Sequence, residues 1–260
     1  MTFLLYMLLG AGAGTLAGLF GVGGGLIIVP VLIFSFTLQG MSVEVMTHLA
    51  VGTSLATIVF TSINSVLAHH KRGAVRWPIV MWLSGGIILG SFLGGITAAF
   101  IPGRELQVII GVFALLMSAQ MATGWRPKGA ASTLGHTLLS IAGVIIGWAS
   151  AIFGIGGGSL TVPFLTWRGV EMKQAVASAA AVGLPLAISG TLSFMWMGWQ
   201  HDALPDWSVG YVYLPALIGI ASTSMIFARV GAALAHKLDP VMLKRLFAVL
   251  LLCVGLNFLL

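Results

Sequence analysis

The sequence Phe20-Gly21-Val22-Gly23-Gly24-Gly25 lies in the middle of an apolar stretch, residues 3–36, and Pro30 follows it. A second copy, Phe153-Gly154-Ile155-Gly156-Gly157-Gly158, lies in the middle of residues 134–167, and Pro163 follows it at the same distance. As one continuous helix, either stretch would be about 51 Å long, well beyond a hydrocarbon core of about 30 Å. Because clustered glycines also disfavour helix, the sequence predicts that both stretches break at these two glycine motifs.

The composition excludes a soluble globular protein. Of the 260 residues, 58% are hydrophobic and 7% are charged, whereas soluble chains have roughly 45–50% apolar and about 25% charged residues. Apolar runs that reach or approach the length of one membrane crossing, about 20 residues, occur near residues 3–36, 49–68, 78–101, 106–124, 134–167, 175–199, 209–235 and 241–260. The sequence therefore predicts an all-α polytopic membrane protein. The first residues lack a basic segment, so we expect no cleaved signal peptide.

The chain also repeats itself beyond the two glycine motifs. Val51-Gly52 corresponds to Val182-Gly183, and further on Gly73 and Pro78 correspond to Gly210 and Pro215. Since the landmarks keep their order, the sequence predicts two homologous membrane repeats, residues 1–130 and 131–260. No soluble domain separates them.

The distribution of Lys and Arg favours one topology. If each glycine motif is the tip of a re-entrant helical hairpin, followed by three transmembrane helices, eleven of the twelve Lys and Arg residues share one face of the membrane, as the positive-inside rule requires. This plan makes the two halves inverted repeats and puts both termini outside. The alternative is eight simple crossings with parallel repeats, which gives no charge bias. The basic residues behind the net charge of +6 are thereby explained by the orientation of the protein in the membrane. We expect no nucleic-acid partner.

The two motifs, FGVGGGLIIVP and FGIGGGSLTVP, in a duplicated chain of this length resemble the TauE/SafE-type sulfite exporter family of membrane anion permeases. The resemblance covers nearly the whole chain. It implies transport of a small sulfur-containing anion, such as sulfite or an organosulfonate, across a plasma membrane of the bacterial inner-membrane type. We expect the lipid bilayer and the small anion as partners, with protons as a further one, and a homodimer is compatible with this plan.

A carrier for such an anion needs donors that replace its hydration shell, because an unpaired charge in a low-dielectric medium is costly. The glycine triplets open the second legs of the hairpins, and their backbone N–H groups can turn toward one anion at a helix N-terminus. We therefore assign substrate binding to the triplets Gly23, Gly24, Gly25, Gly156, Gly157 and Gly158. The alternative is that these glycines only let neighbouring helices pack closely.

Hydroxyl and amide side chains are expected to supplement the backbone donors. Ser54, Thr57 and Asn64 share a face of the first simple crossing, and Ser159 stands beside the second triplet, where the first half has Leu26. Two ionisable residues are candidates for gating or charge compensation. His48 is either a protonation switch or an interfacial histidine. Arg229 is either a counter-charge for the anion or a side chain that snorkels to the cytoplasmic interface.

The leading function is secondary transport of the sulfur anion, as proton-linked export, and the alternatives are a passive anion channel or a non-transport assembly subunit. We expect no catalytic residues, because the chain has no HExxH or GxSxG motif and no buried carboxylate pair. We likewise expect no metal and no cofactor. Cys253 is the only cysteine, so an internal disulfide is excluded.

Overall fold

The computed structural model describes residues 2–20, 25–123, 135–199, 201–235 and 240–259. Within these ranges the chain forms ten helices and one short β-hairpin. The helices of the first half are α1 (Thr2–Phe20), α2 (Gly25–Leu38), α3 (Val43–Lys71), α4 (Trp77–Ala99) and α5 (Gly103–Thr123). The second half contains α6 (His136–Phe153), α7 (Gly158–Trp167), α8 (Met172–Met197), α9 (Leu214–Ala235) and α10 (Pro240–Leu259), with the antiparallel strands β1 (Ser208–Val209) and β2 (Val212–Tyr213) before α9.

Both long apolar stretches are divided at their glycine motifs, as predicted. Helix α1 ends at Phe20 and α2 begins at Gly25, and in the second half α6 ends at Phe153 and α7 begins at Gly158. Gly154 ends α6 in the left-handed conformation, with φ of 64°, which glycine adopts without the Cβ strain of other residues.

The prediction of a polytopic membrane protein is confirmed at the level of its helices. Five of them, α3, α4, α5, α6 and α8, are long and apolar enough to cross a hydrocarbon core. Helix α3 is the most buried of these five, and its buried residues include three with hydroxyl side chains in one turn and a half, Thr53, Ser54 and Thr57. A polar helix at the centre is stable only where neighbouring helices satisfy its side chains.

The first helix of each half packs in parallel against the fourth helix of the other half. In one pair, Gly10 of α1 contacts Ile220 and Gly14 contacts Ser224 of α9. In the other pair, Gly86 and Gly90 of α4 both contact Val144 of α6. Because glycine has no side chain, the two backbones in each pair approach closely enough for dense packing.

Two further pairs of helices, α3 with α8 and α5 with α10, pack in antiparallel orientation. Gly183 of α8 contacts Ser62 of α3, whereas Gly190 contacts Leu55, so the residue numbers run in opposite directions. The pair of α5 and α10 behaves in the same way, and there the Ser118 hydroxyl donates a 2.6 Å hydrogen bond to the carbonyl of Ala248. Helices α3 and α8 thus form the centre of the bundle.

Two elements differ from the sequence prediction. Helix α3 begins at Val43, six residues before the predicted apolar run, because Thr47 and His48 are buried against neighbouring segments despite their polarity. The β-hairpin of Ser208–Tyr213 was predicted as part of a loop and an apolar run. The backbone N–H of Tyr213 donates a 2.9 Å hydrogen bond to Thr53 Oγ1 of α3, a long-range contact that no local pattern signals.

Adjacent glycines on α4 allow a test of the parallel α4–α6 packing. A Cβ on Gly86 would lie 2.9 Å from the backbone N of Val144, whereas a Cβ on Gly85 would meet nothing within 4 Å. We expect Gly86→Ala to destabilise the protein by about 1–3 kcal/mol through overpacking, and Gly85→Ala to be neutral or slightly stabilising because alanine favours helix. Thermal unfolding in detergent measures both; equal midpoints for the two variants would contradict this packing.

Candidate functional site

The two glycine motifs meet in the interior of the protein. A Cβ placed on Gly25, the first residue of α2, would lie 2.5 Å from the carbonyl oxygen of Gly154 and 2.7 Å from the Cα of Ile155. Only a residue without a side chain fits at this contact. Gly23 and Gly24, which the sequence analysis assigns to the site, lie outside the described residues. The N-terminus of α2 therefore lies directly against the turn that precedes α7.

The turn of the second motif leaves a helix N-terminus without a cap. The N–H of Ile155 donates to the carbonyl of Ser150, and the N–H of Thr161 donates to the carbonyl of Gly157. No side chain caps α7, so the N–H groups of its first turn lack partners within the helix. Gly156 and Gly157 are buried here. Such a terminus is electropositive and binds anions.

Three buried hydroxyls flank this terminus in the sequence. Ser159, in the first turn of α7, is 6% exposed, and Ser150 and Thr161 are fully buried. None of the three oxygens has a hydrogen-bond partner among the described residues. Since a buried hydroxyl without a partner costs roughly 1–3 kcal/mol, these three make the second motif a candidate site for a polar ligand.

Sequence analysis identified Ser159 but missed Ser150 and Thr161. Both stand in apolar helices where serine and threonine commonly bond to their own backbone. Their spacing from the motif carried a weak signal: Ser150 precedes Gly154 by one helical turn, and Thr161 follows Gly158 by three residues. Only their burial without partners separates them from the other hydroxyl residues of α6 and α7.

The candidate residues of α3 have three different surroundings. The Ser54 hydroxyl donates a 2.9 Å hydrogen bond to the Gly154 carbonyl and so reaches the second motif. The Thr57 hydroxyl donates to the carbonyl of Thr53 in its own helix, at 2.9 Å. Asn64 is exposed. The structure thus brings Ser54 to the second glycine motif, whereas the described hydrogen bond of Thr57 stays within α3 and Asn64 is exposed.

Helix α8 closes the other side of the second motif. A Cβ on Gly157 would lie 2.8 Å from the carbonyl oxygen of Ala179 and 3.0 Å from the Cα of Gly183. The second motif is therefore held between α3, through Ser54, and α8, through Gly183. These are the two helices that form the centre of the bundle.

The two ionisable candidates lie away from this contact along the chain. His48 is buried on α3, six residues before Ser54, which corresponds to about 9 Å along a helix. Its Nε2 lies 3.0 Å from the carbonyl oxygens of Ala98 and Ile101. Arg229 belongs to α9, and its side chain lies outside the described part of the structure.

Among the described residues, no group of three or more His, Cys, Asp or Glu side chains could hold a metal ion. The buried polar side chains of the described core are Ser, Thr, Gln and a single His. Among the described residues, the hydrogen-bond donors at the second glycine motif are therefore neutral groups: backbone N–H and hydroxyl.

Comparison with known proteins covers almost the entire chain. The family model described as sulfite exporter TauE/SafE matches residues 6–258. A probable membrane transporter protein of Haemophilus influenzae is 42% identical over 259 residues, which cover 98% of this chain and 97% of that protein. A probable membrane transporter protein of Methanocaldococcus jannaschii is 29% identical, and the match covers 98% of this chain and 95% of that protein. YunE of Bacillus subtilis, also a probable membrane transporter protein, is 28% identical, and the match covers 98% of this chain and 96% of that protein. No solved structure matches the chain.

The hydrogen bond from Ser54 to Gly154 makes a prediction about stability. We expect Ser54→Ala to lower the free energy of unfolding by about 1–3 kcal/mol, because the buried Gly154 carbonyl loses this donor. Thr57→Val is the matched control on the same helix, because its hydroxyl bonds only to a carbonyl of the same helix. Unfolding by heat in detergent compares the two; a Thr57→Val loss as large as that of Ser54→Ala would contradict the special role of Ser54.

Proposed function

Since the chain belongs to the sulfite exporter TauE/SafE family, we propose that it is a secondary transporter of a small sulfur-containing anion, sulfite or an organosulfonate. The observation that carries this proposal is the buried, uncapped N-terminus of α7 with the unpaired Ser159 hydroxyl in its first turn. The names of the relatives, probable membrane transporter proteins, support membrane transport. The described family supports sulfite as a substrate and export as the direction.

In this proposal the anion is held by neutral donors at the meeting point of the glycine motifs. The first turns of α2 and α7 each supply a partial charge of about +0.5, and the contact between Gly25 and residues 154–156 supports a shared site for both. The triplets Gly23–Gly25 and Gly156–Gly158 let the anion approach the backbone. Ser159 and Ser54 donate hydroxyl hydrogen bonds, the latter by turning from the Gly154 carbonyl.

We assign Thr57, Asn64 and Arg229 to the route of the anion and not to its resting place. Thr57 and Asn64 follow Ser54 along α3 toward its C-terminal end. Helix α9 packs in parallel on α1, with Gly14 against Ser224, so the backbone of Arg229 lies about one turn further, toward the end of α1 at Phe20. We propose that the positive charge of Arg229 compensates the charge of the anion.

The proposed architecture consists of two inverted repeats, residues 1–130 and 131–260, each with a re-entrant hairpin and three crossings. Corresponding helices of parallel repeats run in the same direction, whereas α3 and α8, and likewise α5 and α10, pack in antiparallel orientation. This observation supports inversion. Inverted repeats with broken helices meeting near the midplane are a common design of secondary transporters.

We propose that the protein lies in the plasma membrane, with the basic loops in the cytoplasm and both termini outside. Contacts between the connections support this orientation. The N–H of Arg76, before α4, donates a 3.1 Å hydrogen bond to Ser178 of α8, so the basic ends of α3 and α7 lie at the same end of the bundle. At the other end His201, in a loop without Lys or Arg, pairs with Glu44. This asymmetry agrees with the positive-inside rule.

Reconstituted transport tests the proposal directly. We expect purified protein in proteoliposomes to show saturable counterflow of radiolabelled sulfite, inhibited by methanesulfonate, because one anion must occupy the site in each cycle. An imposed pH gradient is expected to drive accumulation. Flux that rises linearly with concentration would favour a channel, and no flux of sulfite or methanesulfonate would contradict the proposed substrate class.

Ser159 provides the sharpest test of where the anion binds. We expect Ser159→Ala to raise the half-saturating sulfite concentration in counterflow roughly tenfold, because a hydrogen bond to a charged group contributes about 1.5 kcal/mol or more. Ser193→Ala is the matched control: Ser193 is also a buried serine, and its hydroxyl donates to the Phe92 carbonyl on α4. An unchanged half-saturating concentration in Ser159→Ala would place the anion elsewhere.

A further inference from the structure

A buried histidine lies at the end of the bundle opposite to the basic loops. His48 of α3 is 4% exposed, and its Nε2 lies 3.0 Å from two carbonyl oxygens, those of Ala98 and Ile101 at the turn between α4 and α5. Carbonyl oxygens only accept hydrogen bonds, so these partners assign the proton of the neutral ring to Nε2. His48 therefore ties α3 to the C-terminal end of α4.

The other ring nitrogen of His48 is unsatisfied. With the proton on Nε2, Nδ1 carries a lone pair, and this atom is buried with no hydrogen-bond partner among the described residues. An unsatisfied basic nitrogen in the interior costs free energy. It is also a site to which a proton can add without displacing any existing hydrogen bond.

Two contacts favour a positive charge on this ring and oppose the cost of burying it. The last carbonyls of α4 provide the negative end of a helix dipole. The ring of Tyr211 stacks on the imidazole, with 5.0 Å between centroids and 29° between planes, and an aromatic face attracts a cation. Burial, and to a smaller extent Glu44, raises the pKa of the Tyr211 phenol, so this ring stays neutral when a histidine titrates.

Few titratable groups lie around His48. On its own helix Glu44 precedes it by one turn, and in the loop before the β-hairpin His201 lies 3.9 Å from the Glu44 carboxylate and 5.9 Å from the Tyr211 ring. The charged residues next to the α4–α5 turn, Arg104 and Glu105, are both exposed. The Tyr211 ring thus contacts both His48 and His201, and the Glu44 carboxylate is exposed.

Helix α3 connects His48 to the glycine motifs over a short, tightly packed segment. Gly52 packs against the backbone of Tyr211, Thr53 accepts a hydrogen bond from the N–H of Tyr213, and Ser54 donates one to Gly154. A change in the hydrogen bonds between His48 and the α4–α5 turn therefore acts on helix α3, which contacts the second motif through Ser54. This is a continuous path of packed groups between the two sites.

From this geometry we infer that His48 is the proton-binding site of the carrier. A proton from the external solution adds to the Nδ1 lone pair and forms an imidazolium ion. Release of this proton on the other side of the membrane restores the neutral ring. The inference rests on the proposed anion transport and adds that the coupled proton is carried by the protein and not by the anion.

The test uses an anion whose charge does not change with pH. Proteoliposomes are given radiolabelled methanesulfonate, which stays a monoanion across the neutral range, so a pH gradient can drive its accumulation only through a proton site on the protein. We expect the wild-type protein to show this accumulation. In His48→Gln the accumulation should be at least tenfold lower than in the wild type. Counterflow, which needs no net proton movement, should fall much less in this variant and reports that it is folded.

Two further variants keep the inference falsifiable. His201→Gln is the matched control, and we expect its proton-driven accumulation to stay within about twofold of the wild-type value. Tyr211→Leu removes both the stacked ring and the burial that it provides, so the pH of half-maximal drive should change; it provides the test if His48→Gln does not fold.

The outcomes separate this inference from the proposed function. Absence of saturable counterflow of any anion in the wild-type protein would refute the proposed function. Counterflow without proton-driven methanesulfonate accumulation would overturn only the inference, since the proton would then travel on sulfite. Accumulation in His48→Gln equal to that of the wild-type protein, or an unshifted Tyr211→Leu profile, would overturn it as well.

Discussion

A helix that breaks inside a membrane protein must have its freed backbone groups satisfied by the protein itself, because the hydrocarbon offers no hydrogen bonds. Here that constraint applies twice, at residues 20–25 and 153–158. The contact of Gly25 with the turn at Gly154 allows each break to lie against the other. The Ser54 hydroxyl satisfies the Gly154 carbonyl, and no side chain caps the first turn of α7. In the proposed function, the free N–H donors of this turn form the anion site.

The rest of the bundle can be understood as the support of this contact. Helix α3 touches the second motif through Ser54, α8 touches it through Gly183, and the two helices pack against each other in antiparallel orientation. The glycine-lined pairs of α1 with α9 and of α4 with α6 hold the entering legs of the two broken stretches. Each of these pairs joins a helix of residues 1–130 to a helix of residues 131–260.

The sequence was informative where the signal was local or repeated. The break at each glycine motif followed from length and glycine content, and the helical membrane architecture followed from composition. The contacts that build the site join residues about 100 or more positions apart, as Ser54 and Gly154 or Thr53 and Tyr213 do, and no pattern in a single sequence specifies them. Helical spacing grouped Asn64 with Ser54, yet burial separates the two, because α3 extends beyond the packed centre. His48 could be named from its residue type, whereas its carbonyl partners and its stacking on Tyr211 required the fold.

The central claim is that the anion occupies the N-terminus of α7 beside the first glycine motif. It is tested most directly by replacing Cys253, the only cysteine, with Ser, introducing Ser159→Cys, and measuring how fast a maleimide modifies the new thiol. The account predicts that saturating methanesulfonate slows this modification several-fold, whereas a thiol introduced by Ser193→Cys, on the other side of α8, is unaffected. An unchanged rate at position 159, or equal slowing at both positions, would contradict it.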